Sequence, residues 1–363
     1  MRELLSWCMR YDNSAITTVR QPLLSPGGRS LIGDRAGVWW GLLGVTAFSF
    51  TVPFTRIAAE SGSMSPLFIG AGRATVASIL AGLLLWLVWL RGRSRSGGEF
   101  TGAASPGAAS AGAASSGPAS AGRTPGASSV RLPTGIQCLR LLVVAGGVVL
   151  GFPLLTSYAL SQTPASHAAV VIALLPAATA AAAVIRTKER PGRGFWVMAA
   201  LSAVLAVVFA LVQGAEFGGL RPADLLLFAA VVAAAVGYAE GGVLSREIGS
   251  WQTISWALVL SAPVTLGLTV LAIVTVAPSG SPAQWASFAY LGVISMFLGF
   301  FAWYRGLAIG PMAQVSQVQL IQPVMSIAWA ALLLGERLDW PTIVCGTAVI
   351  ASAALTVRTR LRS

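Results

Sequence analysis

The sequence predicts an all-α membrane protein in which ten transmembrane helices form two inverted five-helix repeats. The 363-residue chain is 55% apolar, 10% charged and has a mean hydropathy of +0.76, whereas about a quarter of the residues in a soluble domain are charged. Its apolar runs are long enough to cross a bilayer, and its second half repeats motifs of its first half. Together these observations favour a duplicated membrane domain.

The predicted spans follow one another along most of the chain. A helix needs about 20 apolar residues to cross a hydrocarbon core of about 30 Å. Such runs occur at 37–57, 67–90, 139–160, 165–185, 195–212, 225–244, 254–276, 285–304, 313–334 and 342–357. They lack the two-residue alternation of transmembrane β-strands. As the core of a soluble protein, they would leave almost no polar surface to cover the outside.

Two segments carry the same motifs at the same spacing. Three pairs of positions are separated by 147 residues: Pro164 and Pro311, Pro176 and Pro323, and Glu189 and Glu336. A period of this length indicates a duplicated domain and not a short-repeat array. The repeats are predicted at 37–212 and 223–357. Because each contains five spans, the second copy is turned over in the membrane, a layout typical of secondary transporters.

The basic residues predict the orientation of the chain. It has 24 Lys and Arg residues and a net charge of +12. With the N-terminus inside, most of them fall in inner segments, and the outer loops receive only Arg221 and Arg337. We expect the protein to lie in the cytoplasmic membrane of the cell. The positive-inside rule then places both termini in the cytoplasm. The charge needs no nucleic-acid partner.

Three segments lie outside the predicted helices. Residues 1–36 are expected to form a mobile cytoplasmic tail with no secretory signal, and residues 358–363 form a C-terminal tail. The stretch 94–129 is rich in Gly, Ala, Ser and Pro and is predicted to be a flexible linker within the first repeat. The three cysteines have unrelated spacings and no partner histidine, so neither a metal site nor a cofactor is expected.

An ordered set of motifs resembles the EamA-type branch of the drug/metabolite transporter (DMT) superfamily. The matching segments are 40–41, 72–74, 158–160, 175–176, 188–191, 304–307, 322–323 and 335–338. The resemblance implies ten helices in two inverted repeats and export of small metabolites, amino acids, nucleosides or drugs, often against protons. It also implies a cavity lined by spans one, three, four, six, eight and nine. The linker, Lys188 and Glu240 depart from the family pattern.

Two ionisable residues are predicted within spans, where a charge costs roughly 2.5–3.5 kcal/mol. Glu240 lies in span six between small residues and is a candidate for proton coupling. Alternatively, it pairs with Arg246 or with lipid headgroups. Arg73 in span two either holds an anionic group of a substrate or binds a neighbouring helix. The resemblance favours a structural role for Arg73.

Span nine carries a polar stripe. At 100° per residue, Gln314, Gln317 and Gln322 fall within an arc of about 140°, and unpaired amides are unfavourable in lipid. We therefore expect them to line a cavity, together with Tyr158, Tyr238 and Tyr304. His167 aligns with Gln314 between the repeats and is a second candidate proton carrier. Pro176 and Pro323 are predicted to break their helices at mid-span.

These patterns predict a secondary transporter that exports a small molecule by alternating access, with protons as a candidate coupling ion. Its partners are a small-molecule substrate and membrane lipid, and the sequence leaves its oligomeric state open. A membrane-embedded enzyme would need several polar groups at one depth, whereas the polar residues here are scattered. A receptor or scaffold would use the 94–129 linker as its signalling arm.

Overall fold

The structure, a computed structural model, describes residues 31–59, 64–96, 130–160, 171–172, 174–188, 192–212 and 222–334, with single positions between 340 and 355. All regular secondary structure within these residues is helical. Six described stretches are long and apolar enough to cross a membrane: Arg35–Ala59, Pro66–Arg91, Gly135–Ala159, Pro222–Ile248, Ser250–Thr275 and Pro282–Ile309. The all-helical class is therefore confirmed, and the count of ten stays a prediction.

The helices are named by the predicted spans that contain them. Their bounds are Leu31–Ser49 and Thr51–Ala59 (span one), Pro66–Ser96 (two), Gly135–Val144, Ala145–Gly151 and Phe152–Leu160 (three), Leu175–Thr187 (four), Arg193–Val212 (five), Pro222–Ile248 (six), Ser250–Thr275 (seven), Pro282–Tyr290, Leu291–Leu298 and Gly299–Ile309 (eight), and Met312–Gln317, Val318–Leu320 and Ile321–Leu334 (nine).

Two helices extend past the predicted bounds. The helix of span one begins at Leu31, within the predicted N-terminal tail, and residues 94–96 continue the helix of span two into the predicted linker. A hydropathy window finds the apolar centre of a helix and misses the polar turns at its ends. The rest of the N-terminal tail, residues 97–129 of the linker and the segment 358–363 lie outside the described residues.

The duplication extends to irregular features of the backbone. Span three begins with a capping box in which Thr134 and Gln137 each bind the other's backbone N–H. Span eight begins with the same device, formed by Ser281 and Gln284, 147 residues later. Both spans then continue through a π-helical segment, at Ala145–Gly151 and at Leu291–Leu298. π-helical segments are rare, so their recurrence at one repeat position supports descent from a common unit.

Spans four and nine also change conformation at matching positions. In span four, the Leu174 N–H donates to the Val171 carbonyl over three residues, just before Pro176. In span nine, a 3₁₀ turn at Val318–Leu320 precedes Pro323. A proline has no N–H to donate to the carbonyl four residues earlier, and its ring crowds that turn. Both spans therefore change conformation just before their prolines.

Close glycine contacts join the two repeats. Span one packs antiparallel on span eight, where a Cβ atom on Gly37 would lie 2.6 Å from the Gly310 Cα. Span six packs on span three in the same way, where a Cβ atom on Gly237 would lie 2.6 Å from a methyl of Val148. Small residues allow such close approach of helices in membranes. Span one of the first repeat corresponds to span six of the second, and span three corresponds to span eight. The contact of span one with span eight is therefore equivalent to the contact of span six with span three.

Candidate functional site

Side-chain contacts define two ends of the helix bundle. At one end, termed here the arginine-rich end, Arg140, Arg186, Glu240 and Glu247 meet. At the other end, termed the opposite end, two apolar clusters form. One cluster joins spans one, two, seven and eight and comprises Ala58, Met64, Phe68, Ile69, Ala272, Phe288 and Leu291. The other joins spans three, four and six around Ala159, Ala223 and Leu227.

The four charged residues at the arginine-rich end form what we call the ionic cluster. Glu240 of span six is 7% exposed and accepts hydrogen bonds from Nε of Arg140 in span three and Nε of Arg186 in span four. Arg186 Nη2 also donates to Glu240 Oε1 at 3.2 Å. Arg140 Nη1 donates to Glu247 Oε1 at 2.6 Å. The cluster thus ties two spans of the first repeat to one span of the second.

This geometry corrects the partner expected for Glu240. Arg246 instead donates to the carbonyls of Leu307, Ala308 and Gly310 at 3.0–3.2 Å, at the end of span eight. A cation there satisfies carbonyls that the helix itself leaves without donors. Sequence reasoning missed Arg140 and Arg186 because they lie 100 and 54 residues from Glu240. Only the packing of spans three and four on span six brings them together.

Spans two, six, eight and nine carry buried polar side chains, among them Arg73, Tyr238 and Gln319. The Gln319 side chain and the Arg73 guanidinium both lie near the Tyr238 hydroxyl. The Trp303 and Tyr238 rings are 5.5 Å apart. We call Arg73, Tyr238, Trp303 and Gln319 the central polar group. Close to it, the Tyr304 hydroxyl donates to the Gly237 carbonyl at 3.2 Å.

The predicted stripe of glutamines is divided by the 3₁₀ turn. Gln314 and Gln317 precede the turn and are buried, whereas Gln322 follows it and is partly exposed. Gln317 Nε2 donates to the Pro176 carbonyl of span four at 3.3 Å. Gln319, which the constant 100° spacing left out of the stripe, is buried beside Tyr238. The tighter 3₁₀ turn changes the direction of its side chain.

The other predicted site residues have different environments. Tyr304 is fully buried, whereas the Tyr158 ring is 54% exposed. Pro176 is buried and Pro323 is partly exposed, each next to the interruption in its helix. His167 lies outside the described residues, as do Glu189 and Glu336. The described residues contain no group of three or more His, Cys, Asp or Glu side chains that could hold a metal ion.

Burial changes along span nine at its interruption. Every residue from Met312 to Leu320 is buried, and this part packs on span four. Residues 321–326 are all partly exposed, and from Ile321 onward the main described contacts of the helix are with span one. There, the Ser326 hydroxyl donates to the Ser49 carbonyl at 2.7 Å, and Trp329 Nε1 donates to Ser49 Oγ at 2.9 Å. Span nine is therefore packed tightly before the interruption and more loosely beyond it.

Four rings near the opposite end form an aromatic cluster of Phe50, Phe54, Tyr290 and Trp329. Phe50 stacks on Trp329 with ring centroids 4.4 Å apart, and Phe54 lies 4.6 Å from Tyr290. The Tyr290 hydroxyl donates to the Ala47 carbonyl at 3.1 Å. This cluster joins spans one, eight and nine.

The fold and this site define a multi-pass membrane protein with two repeats around a buried polar centre. Residues 35–212 and 221–358 each match the EamA-like transporter family. The chain belongs to that family, which is part of the DMT superfamily. It is 38% identical over 323 residues to the "Uncharacterized transporter YdeK" of Bacillus subtilis (strain 168), across 86% of this chain and 94% of that protein.

A solved structure titled "Crystal structure of protein" has the same fold. It superposes with a TM-score of 0.63 over 90% of this chain and 98% of that chain, at 17% sequence identity. The family match and the transporter relative confirm the resemblance drawn from the sequence motifs. The protein is a membrane transporter.

Proposed function

We propose that the protein is a secondary active transporter that exports a small molecule across the cytoplasmic membrane by alternating access. The observation that carries this proposal is the unequal packing of the two ends around the central polar group. At the arginine-rich end, the ionic cluster and the buried first half of span nine join the repeats. At the opposite end, the described apolar side chains form two separate clusters, and span nine is partly exposed.

The arginine-rich end is the cytoplasmic end in this proposal. Arg91, Arg131, Arg140, Arg186 and Arg246 all belong to the inner segments that the positive-inside rule defines. Both termini are then cytoplasmic, and this conformation faces outward. Export begins from a second conformation in which the arginine-rich end is open.

The ionic cluster acts as the cytoplasmic gate. Opening that end separates spans three and four from span six, which requires Arg140 and Arg186 to leave Glu240. Protonation of Glu240 removes the negative charge that both arginines bind, so that a proton entering from the outer side favours opening and then leaves to the cytoplasm. Glu240 thereby couples proton binding to the conformational change, and His167 is a second proton carrier. Such coupling requires only that the proton bind the two conformations with different affinity.

A flux measurement on the purified full-length protein tests the proposal. Proteoliposomes are screened with radiolabelled amino acids, organic acids, nucleosides and cationic drugs, with and without a pH gradient. We expect saturable flux of at least one class, faster with the gradient than without it. A membrane enzyme or receptor gives no saturable flux for any class, which would refute the proposal. Flux that is independent of the gradient would refute proton coupling and leave transport standing.

A further inference from the structure

A buried positive charge lies within the membrane part of the bundle. Arg73 is only 9% exposed, and its Nε has no hydrogen-bond partner among the described residues. No carboxylate in the described part of the chain forms an ion pair with it. A desolvated guanidinium is unfavourable unless an anion or several acceptors surround it.

The position of Arg73 on span two directs it between the repeats. Gly70 faces span three, where a Cβ atom would lie 3.2 Å from Ser157 Oγ. Gly72 faces span eight, where a Cβ atom would lie 2.9 Å from the Phe288 ring. At 100° per residue, Arg73 lies between these two faces. Tyr238 of span six, in the other repeat, lies near enough to act on it electrostatically.

Further polar atoms around Tyr238 lack partners among the described residues. Trp303 Nε1 is a buried donor, and Gln319 Oε1 is a buried acceptor. Apolar ring surface is next to them, because Phe300 and Trp303 lie 6.1 Å and 5.5 Å from the Tyr238 ring. Buried polar atoms are nearly always hydrogen-bonded in folded proteins. A buried cation, these two unpaired atoms and aromatic faces around Tyr238 match a ligand with an acidic group and an apolar body.

We propose that the substrate of this transporter is an organic monoanion, a carboxylate with an aromatic or branched apolar body. This inference rests on the proposed transport function and names the substrate class. The carboxylate binds the Arg73 guanidinium, which presents paired N–H donors that suit its two oxygens. The apolar body packs against Tyr238, Phe300 and Trp303. A carboxylate thus supplies the counterion that the described residues do not.

A series of matched compounds tests the charge preference. The purified wild-type protein is titrated with 3-phenylpropanoate, 3-phenylpropanamide and 3-phenylpropylamine, and with the same three head groups on indole and isobutyl bodies. Binding is followed by tryptophan fluorescence and thermal stability. We expect at least one acid to bind about tenfold more tightly than its amide, and the amines to bind more weakly still. If no acid binds better than its amide, the proposal is overturned whether or not any variant folds.

Variants assign the preference to Arg73. Arg73→Gln removes the difference in affinity between acid and amide, whereas Arg73→Lys retains part of it. Arg91→Gln, at an exposed arginine on the same helix, is the matched control and retains the full difference. Tyr238→Phe lowers the affinity for the acid more than that for the amide. If Arg73→Gln keeps the wild-type difference, Arg73 does not bind the acid and the proposal falls.

Flux measurements separate this inference from the proposed function. If nucleosides or cationic drugs are transported and no carboxylate competes with them, the transport proposal stands and the substrate class is wrong. If acids bind in an Arg73-dependent manner but no compound is transported, the anion site stands and the transport proposal fails.

Discussion

The ionic cluster and the aromatic cluster occupy equivalent places in the two repeats. The first joins spans three, four and six at the arginine-rich end, and the second joins spans eight, nine and one at the opposite end. Arg140 and Arg186 align with Ser287 and Leu333 at the 147-residue shift. The same junction of three helices is therefore closed by charges in one copy and by rings in the other.

This difference shows how a duplicated fold can respond differently at its two ends. An ion pair depends on the protonation state of its carboxylate and on salt, and removal of one partner leaves a buried charge. Aromatic pairs contribute about 0.5–1.5 kcal/mol each beyond the area they bury, and this contribution does not depend on protonation or salt. Of these two clusters, the ionic cluster is thus the one that responds to protonation and salt.

The largest expected effect follows from Glu240→Gln. The variant leaves Arg140 and Arg186 partly buried without their shared counterion, and removal of one partner of a buried pair is destabilising by about 3–5 kcal/mol. We expect the arginine-rich end to open. A cysteine at Ala180, which is buried between spans four, five and nine, reports this opening through faster maleimide labelling in a background without the native cysteines.

Glu247→Gln is the matched control for this change. Its side chain is 38% exposed and binds Arg140 and Gln137 at the exposed edge of the ionic cluster, and exposed pairs contribute about 0–1 kcal/mol. Labelling at position 180 should remain close to that of the wild type. Equal labelling rates for the Glu240 and Glu247 variants would mean that the ionic cluster does not hold this end closed.

Gly37→Ala is expected to have the next largest effect, at the junction of spans one and eight. The new methyl group would lie 2.6 Å from the Gly310 Cα, so the backbone of one of the two helices must move. Overpacking of this kind is destabilising by about 1–3 kcal/mol. The free energy of unfolding in mixed micelles measures the loss. Gly237→Ala meets the Val148 side chain instead, which can shift, so its loss should be smaller.

Gly146→Ala serves as the control for both glycine variants. A Cβ atom there has no described atom within 4 Å outside its own helix, so the stability should change little. If all three alanine variants are equally stable, the close contacts of spans one and six do not determine the packing of the repeats.

Trp329→Phe tests the aromatic cluster with a smaller change. The ring that stacks on Phe50 is retained, but the bond from Trp329 Nε1 to Ser49 Oγ is lost. A typical hydrogen bond contributes about 0.5–1.5 kcal/mol. The free energy of unfolding should fall by that amount without faster labelling of a cysteine at position 180. Opening of the arginine-rich end in this variant would show that the two ends are not independent.

The sequence predicted the features that depend on local patterns. Each span is an apolar run with its own turns, and the repeat register was read from prolines and glutamates at matching positions. The same 147-residue register also pairs the capping boxes at Thr134 and Ser281, which a hydropathy profile does not detect. A duplicated gene preserves local backbone geometry, so the first copy predicts the second.

The site was less predictable because it depends on packing between distant segments. Glu240 was identified as unusual, but its arginine partners come from two other spans. Gln319 was missed because the helical wheel assumed an uninterrupted helix. Pro323, four residues later, was the available signal, since a proline removes the hydrogen bond to the carbonyl of Gln319. A wheel restarted at each proline would have placed this residue differently.

A change in salt concentration is expected to have the smallest effect on labelling. It also distinguishes most directly between the responses of the two ends. Raising the ionic strength from 0.1 M to 1 M shortens the Debye length from about 10 Å to about 3 Å. The Arg186 side chain is 43% exposed, so its pair with Glu240 is partly screened. We expect wild-type labelling at position 180 to rise less than about threefold over this range. The Glu240→Gln variant should show no such rise, because the attraction that salt weakens is already gone. A salt response of equal size in both proteins would place the sensitive charges elsewhere than in the ionic cluster.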